Sequence, residues 1–552
     1  MVLIPVKKPK ADKNSHCGFC TTALYRWFIT SPLTGPVTSG RGAKTIPNMW
    51  PGEIKRGQEI LDGIFEHGGR SHNIAIFAAL PENASAEWLR WFHSFAWLCD
   101  LKALGTDEAA HFARERISEW IAANMVWNEH SWAIDVTAKR ISNWMINWDF
   151  LTKQSSSGDI KHEFTKRAAH ALVRDTRHLS KSLPGANAGY VRFLGVKGFV
   201  ISAYAFFNRP RLKAEAMKRF EAEVAKQILP DGGHVERNPQ VLANALNDMI
   251  EIKNMLAHLG ADVPGWLQNA IDRAAPMLRM LRHPDGGLAL FNGANVGDNG
   301  FLDNLLLQSG STAAMPMSAP YCGFERLSSG ATHIIIDTGI PGGPGFKHHA
   351  GTLSFEMSTN NQRMIVNCGD REGGDEPWHS ALAATAAHST LVVNDTSSSA
   401  KRGQTGQRRG PLNVTHKRGE MDDAGIVVET SHDGYANIFG LTHHRAIFLS
   451  PGGDNVRGED RLVGTGGEQC AIRFHLHPRA HASLLSSGSG VLIKIGKKEL
   501  WRFHASLGEI TLEESIYAGR GGLPKHSEQI VVNVPLSGNG ALIKWAFSLE
   551  AS

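Results

Sequence analysis

The segment Gln227-Ile-Leu-Pro-Asp-Gly-Gly-His234-Val-Glu236-Arg237 gathers an imidazole, two carboxylates and a guanidinium within one turn. His234 could act as a general base or simply hold the turn. Asp231 and Glu236 are the pair a glycoside hydrolase would use. That chemistry needs its carboxyls about 5–10 Å apart across a sugar, and these two share one turn. A second group, Asn187, Tyr190 and Arg192, stands where a helix begins. Its phenol could exchange a proton and its guanidinium could clamp a carboxylate, although helix packing accounts for Tyr190 equally well. Cys17-Gly-Phe-Cys20, beside His16, is a lone CxxC without the second pair a zinc ribbon needs. It reads as incidental reduced thiols.

The elements that must position these groups fall into two textures. From about Pro47 to Leu307 the apolar residues recur at helical spacing, in segments near 88–98, 112–121, 138–151, 164–179, 190–207, 211–228, 240–258 and 266–281. Leu183-Pro184-Gly185 and Pro230-Asp231-Gly232-Gly233 punctuate them. Many helices with short turns predict stacked helical hairpins, either a solenoid or a closed toroid, and the lack of an exact repeat weighs against a regular solenoid. Between Gln308 and Gly330 the composition shifts to Ser, Gly, Ala and Pro, which reads as a linker. Beyond it come short β-patterned runs bounded by Gly, Pro, Asn and Asp, as in an antiparallel sandwich. Ser397–Gly410, with Lys401, Arg402, Arg408 and Arg409, reads as a basic loop.

The chain has 552 residues, 42% hydrophobic and 20% charged, enough for two or three domains with proper cores. Its 58 basic and 53 acidic residues give a formal charge of +5, a mild bias that carries no nucleic-acid signature and is compatible with an anionic substrate. Six scattered cysteines do not make a disulfide scaffold. No run of 18 apolar residues is present, so no membrane span is expected. The lysine-rich start does not read as an export signal, which favours the cytoplasm.

Several phrases resemble the bacterial heparinase II/III-like family. They are Trp50-Pro-Gly-Glu-Ile-Lys-Arg56-Gly57, Phe95-Ala-Trp-Leu-Cys-Asp-Leu101 and the Gln227–Arg237 turn. The most specific is His349-Ala-Gly-Thr-Leu-Ser-Phe355-Glu356 followed by Ala386-Ala-His388-Ser-Thr-Leu391. Gly434-Tyr435, His444-Arg445, Gly458-Glu459-Asp460 and Phe474-His475-Leu-His477-Pro478 continue the likeness. The resemblance implies an α+β chain with an all-α toroid followed by an antiparallel β-sandwich. The boundaries are an irregular extension at 1–45, a toroid at 46–310, a linker at 311–330 and a sandwich at 331–552.

It also implies β-elimination on an acidic, uronate-containing polysaccharide, or a protein that keeps the lyase fold and only binds glycan at the cell envelope. Elimination needs a group that neutralises the uronate, a base for the α-proton and an acid for the leaving oxygen. By resemblance, the catalytic candidates are Tyr190, His234, Glu236 and Arg237, with Asn187 and Arg192 on the substrate. The family's acid/base Tyr falls on Val241, which cannot move a proton. The family's structural zinc site, His, Asp and His, falls on His349, Asn367 and His388, with Asp370 the nearest carboxylate to replace the lost one. The family's habit places such proteins in the periplasm or envelope, against the missing export signal.

Overall fold

The computed structural model describes residues 43–74, 80–152, 158–342, 349–371, 376–401, 408–421, 425–496, 499–519 and 524–550. The Cys17/Cys20 pair, His348, Arg402 and nearly all of the predicted 1–45 extension lie outside the described residues. Two compact units are present. The first comprises Met1–Phe65, Ser71–Ala186 and Leu194–Ala216, and the second comprises Glu66–Arg70, Asn187–Phe193 and Met217–Ser552.

The first unit is helical. Thr106 caps the helix Asp107–Ala123 by accepting the Ala109 N–H at 3.1 Å, and Asp107 and Glu108 complement the positive end of its dipole. Tryptophans supply much of its core: Trp88, Trp97, Trp120 and Trp144 are buried, with Phe95 edge-on to both Trp120 and Trp144. Sequence periodicity predicts one helix across 88–98, but the chain breaks there into Ala86–Ser94 and Leu98–Leu104. Phe95 takes a left-handed conformation, φ 59°, because its buried ring must pack under the next helix while its N–H closes onto Phe92 O.

The second unit joins three helices, Pro239–His258, Gly265–Met280 and Asn299–Ser309, to the sheets. One sheet runs Glu509–Tyr517, Lys525–Pro535, Gln469–Leu476, Gln362–Val366, Phe355–Thr359, Thr332–Asp337, Phe324–Ser329, Ser318–Ala319, with Leu391–Val393 also paired to Gln469–Leu476. The other runs Val414–Met421, Gly425–Tyr435, Leu441–Leu449, Asn455–Val463, Ala541–Leu549, Glu499–Ala505, Val491–Ile495, Ala480–Leu484. All strand pairs in both sheets are antiparallel. Strands such as Leu441–Leu449 alternate buried and less buried residues, so one face of each sheet meets the other across a shared core. Phe355 of one sheet stacks on Trp545 of the other at 5.6 Å. The expected α+β class, helices first and antiparallel sheets after, is the observed one.

Two expectations about boundaries need correction. The stretch 311–330 is not a loose linker: Ser318–Ala319 and Phe324–Ser329 are strands, and Phe324, Glu325, Arg326 and Leu327 are buried. Nor do the compact units divide where helix gives way to strand. Buried polar side chains tie the turns beside the last helices to the sheet. Arg237 pairs with Asp337, Arg363 holds Asp285 at 2.9 and 3.0 Å, and His283 bonds Glu356 at 2.9 Å. Within the basic segment 397–410, Ala400–Lys401 pairs with Arg408–Arg409 as a short ribbon. The stretch Tyr190–Phe207 is long and apolar enough to cross a membrane, but 72% of it is buried inside the protein, as expected of a core helix.

Candidate functional site

The turn that carries His234 is built by its backbone. Leu229 N–H donates to Gly233 O at 2.8 Å, and Val235 N–H donates to Gln227 O at 2.9 Å. Gly232 sits at φ +87°, and a Cβ there would lie 2.0 Å from Arg273 O, so only glycine fits. Asn238 then caps the helix Pro239–His258, its Oδ1 accepting the Gln240 and Val241 N–H groups at 2.8 and 3.1 Å, with Pro239 at the first helical position.

Around this turn a continuous polar chain forms, wholly within the second unit. Tyr190 Oη donates to Asp248 Oδ2 at 2.8 Å, and the Tyr190 N–H donates to Glu236 Oε1 at 2.6 Å. Glu236 N–H donates to His234 Nδ1 at 3.1 Å, leaving His234 Nε2–H to donate to Gln227 Oε1 at 2.9 Å. Gln227 Nε2 donates to Glu223 Oε1 at 2.6 Å, and Glu223 Oε2 accepts from Arg192 Nε at 3.0 Å. The structure thus brings Tyr190, Arg192, His234 and Glu236 into one network and leaves Asn187 exposed beside it.

Two of the expected catalytic groups are corrected by their surroundings. His234 is 1% exposed, both ring nitrogens are used inside the turn, and burial holds its pKa at about 3. It is a neutral brace and no open base. Arg237 is buried with φ 56°, and its guanidinium is spent on Asp337 and on the carbonyls of Cys322, Ile340 and Gly323. It fastens the turn to the sheet and has no fork turned to a substrate. Asp231 is likewise structural, accepting from the Gly233 and Cys322 N–H groups, which removes the Asp231/Glu236 hydrolase pair.

The histidines of the sandwich do converge. His349 Nδ1 lies 3.2 Å from His388 Nε2, and both residues are buried. His388 Nδ1 faces Ala384 O at 2.8 Å, which fixes the proton on Nδ1 and leaves Nε2 as the acceptor from His349. The third position does not fit the expected metal. Asn367 Oδ1 is occupied by the Ser389 N–H at 3.0 Å, and its buried Nδ2, a donor, has no hydrogen-bond partner among the described residues. Asp370 Oδ1 accepts from His379 Nδ1 and the Arg371 N–H. Among the described residues no group of three His, Cys, Asp or Glu is placed to hold a metal ion, and Asn367 presents a neutral amide where the resemblance implies a carboxylate. His475 is also buried and neutral, its ring set between Ser515 Oγ and Ala386 O.

Residues 312–546 match the family model described as Heparinase II/III-like, C-terminal. The C-terminal half is a heparinase II/III-like domain. The chain is similar to FtsZ-localized protein C of Caulobacter vibrioides, 27% identical over 551 residues, covering 94% of this chain and 92% of that one. Among solved structures it resembles heparinase III, with TM-score 0.72, 14% identity, and 97% of this chain and 91% of that chain covered. It also resembles heparan sulfate lyase HepC of Pedobacter heparinus, with TM-score 0.64, 14% identity, and 97% and 88% covered. Chondroitin AC lyase of Streptomyces coelicolor is more distant, with TM-score 0.56, 10% identity, and 97% and 83% covered. These likenesses establish the fold.

Sequence reasoning missed Asp248, Glu223 and the side-chain role of Gln227. Asp248 carried a readable signal. Val241, Asn244, Asp248 and Glu251 recur at steps of three and four on a helix that is otherwise mostly apolar, which puts three polar side chains on one face.

Proposed function

We propose that this chain keeps the polysaccharide-lyase fold as a glycan-binding protein and does not carry out β-elimination. One observation supports this reading above the others. By the sequence resemblance Val241 falls where the family has its acid/base Tyr, and the proton-bearing groups of the network, Tyr190 and His234, are tied into internal bonds. Tyr190 is held by Asp248, and deprotonating it would leave two anionic oxygens 2.8 Å apart. His234 is sealed. Arg237 is buried and committed to Asp337, and Arg192 shares its charge with Glu223 through Nε. Binding asks less than elimination. Asn187 and Glu236, at the open side of the network, can hydrogen-bond sugar hydroxyls without moving a proton.

A second reading draws on the likeness to a protein named for its localisation with FtsZ. On that reading the scaffold serves the division apparatus, and its partner is a protein. Two binding assays separate the readings. Retention on immobilised heparan sulfate or chondroitin sulfate, weakened by Asn187→Ala, supports glycan binding. Co-pelleting with FtsZ polymers and no retention on either glycan replaces it with the second reading.

A further inference from the structure

A polar cavity of about 510 Å³ opens on the second unit, away from the Tyr190 network in sequence, with Arg279, Arg282 and Arg326 in its wall. Arg326 is the unusual member. It is 4% exposed, and burial lowers its pKa to about 10. Its Nε donates to Ser328 Oγ at 3.2 Å, and its Nη1 braces the carbonyls of Met280 and Arg282 at 2.8 and 2.7 Å. Its Nη2 has no hydrogen-bond partner, and the side chain no carboxylate partner, among the described residues. A buried cation without a counter-charge is costly unless something supplies the anion.

The acidic groups in the wall do not supply it. Asp285 is gripped by both forks of Arg363. Burial raises its pKa, but the Arg363 hydrogen bonds and charge outweigh this and hold it at about 2. Asp303 is largely exposed on the rim and pairs with Arg282 Nη2 at 2.7 Å. Arg279 donates to Ser311 O and Ala313 O and, like Arg326, has no carboxylate partner among the described residues. Two guanidinium groups therefore face the cavity with net positive charge and with N–H donors to spare.

We propose that this cavity binds a tetrahedral oxyanion, the phosphate or sulfate group of a small molecule or a modified sugar. Arginine suits that task because its planar fork gives paired, charge-assisted hydrogen bonds to oxyanion oxygens. Arg279 and Arg282 would contact the anion from the open side, and Arg326 would stand beneath it as the buried counter-charge.

The test is calorimetric titration of the full chain with inorganic phosphate and with sulfate, at matched ionic strength set by chloride, alongside glucuronate as a planar carboxylate. Binding of phosphate or sulfate is expected, and whichever binds more tightly identifies the source. Arg282→Gln should weaken it at least about tenfold while the circular dichroism spectrum and Tm without anion stay close to those of the unaltered chain. Arg326→Gln is a second variant, since losing its braces to Met280 and Arg282 could itself disturb folding; if it folds, it should abolish binding. The proposal is overturned if neither tetrahedral anion binds beyond the chloride control, if only glucuronate binds, or if folded Arg282→Gln binds as tightly as the unaltered chain.

Discussion

Tyr190 Oη donates its proton to Asp248 Oδ2 at 2.8 Å, while the same residue's backbone N–H is held by Glu236. A residue anchored in this way through both its hydroxyl and its backbone N–H positions the start of the helix Tyr190–Ile201 against the turn. Tyr190→Phe should therefore remove the hydrogen bond from the phenol to Asp248. The expected cost is about 1–2 kcal/mol in urea unfolding, with retention on glycan columns reduced by less than about threefold. Loss of glycan binding with unchanged stability would make the hydroxyl a ligand-contacting group instead.

His234→Ala should act on stability first. The ring accepts from Glu236 N–H and faces Gln227 Oε1 inside a buried turn, so truncation orphans both partners. A loss of roughly 1–3 kcal/mol is expected. A variant as stable as the unaltered chain would contradict the bracing role.

Acid should destabilise this fold before its carboxylates titrate. Burial holds His234 and His475 at about 3 and His388 at about 4, against the unperturbed value of 6.5. Because the folded values are depressed, the unfolded chain takes up protons first as pH falls below about 6.5. Stability is then fully present above that value and declines towards pH 4. Each such histidine contributes up to about 1.4 kcal/mol per pH unit across that window. Denaturation midpoints at pH 7.5, 6.5, 5.5 and 4.5 check this, and a flat profile down to pH 4.5 would refute it.

Metal content tests the reading of the sandwich histidines. The unaltered chain should carry less than about a tenth of an equivalent of zinc when purified without chelator. Asn367→Asp puts a carboxylate oxygen in place of the orphaned amide nitrogen, and should raise the zinc content towards one equivalent. Near-stoichiometric zinc in the unaltered chain would show that the pair recruits a third ligand other than Asn367.

Most of the fold was legible because helical and strand periodicities report burial directly. The segments read near 211–228, 240–258 and 266–281 end within a residue or two of the helices Pro210–Gln227, Pro239–His258 and Gly265–Met280. The misreadings share a cause: tertiary contacts override local composition. Phe95 is apolar and helix-compatible, yet it adopts φ 59° to bury its ring. The Ser- and Gly-rich stretch before Gly330 looks like a linker until Arg326 is seen bonded to the end of the helix Gly265–Met280 and Phe324 packed against Phe291 and Arg237. At the site, residue type showed which groups could do chemistry and burial decided which of them can. His234 and Arg237 carry the right atoms, but no sequence pattern shows that Gln227 and Asp337 have already claimed them.

The proposed function is glycan binding without β-elimination. It is tested most directly by incubating the full chain with heparan sulfate, chondroitin sulfate and other uronate-containing polymers and following the ultraviolet absorbance of the conjugated unsaturated uronate. The predicted result is no rise above the buffer control on any polymer, under conditions where at least one of them is retained by the protein. A steady rise in absorbance, lost in Tyr190→Phe with the fold intact, would contradict it and restore Tyr190 as the acid/base of a working lyase.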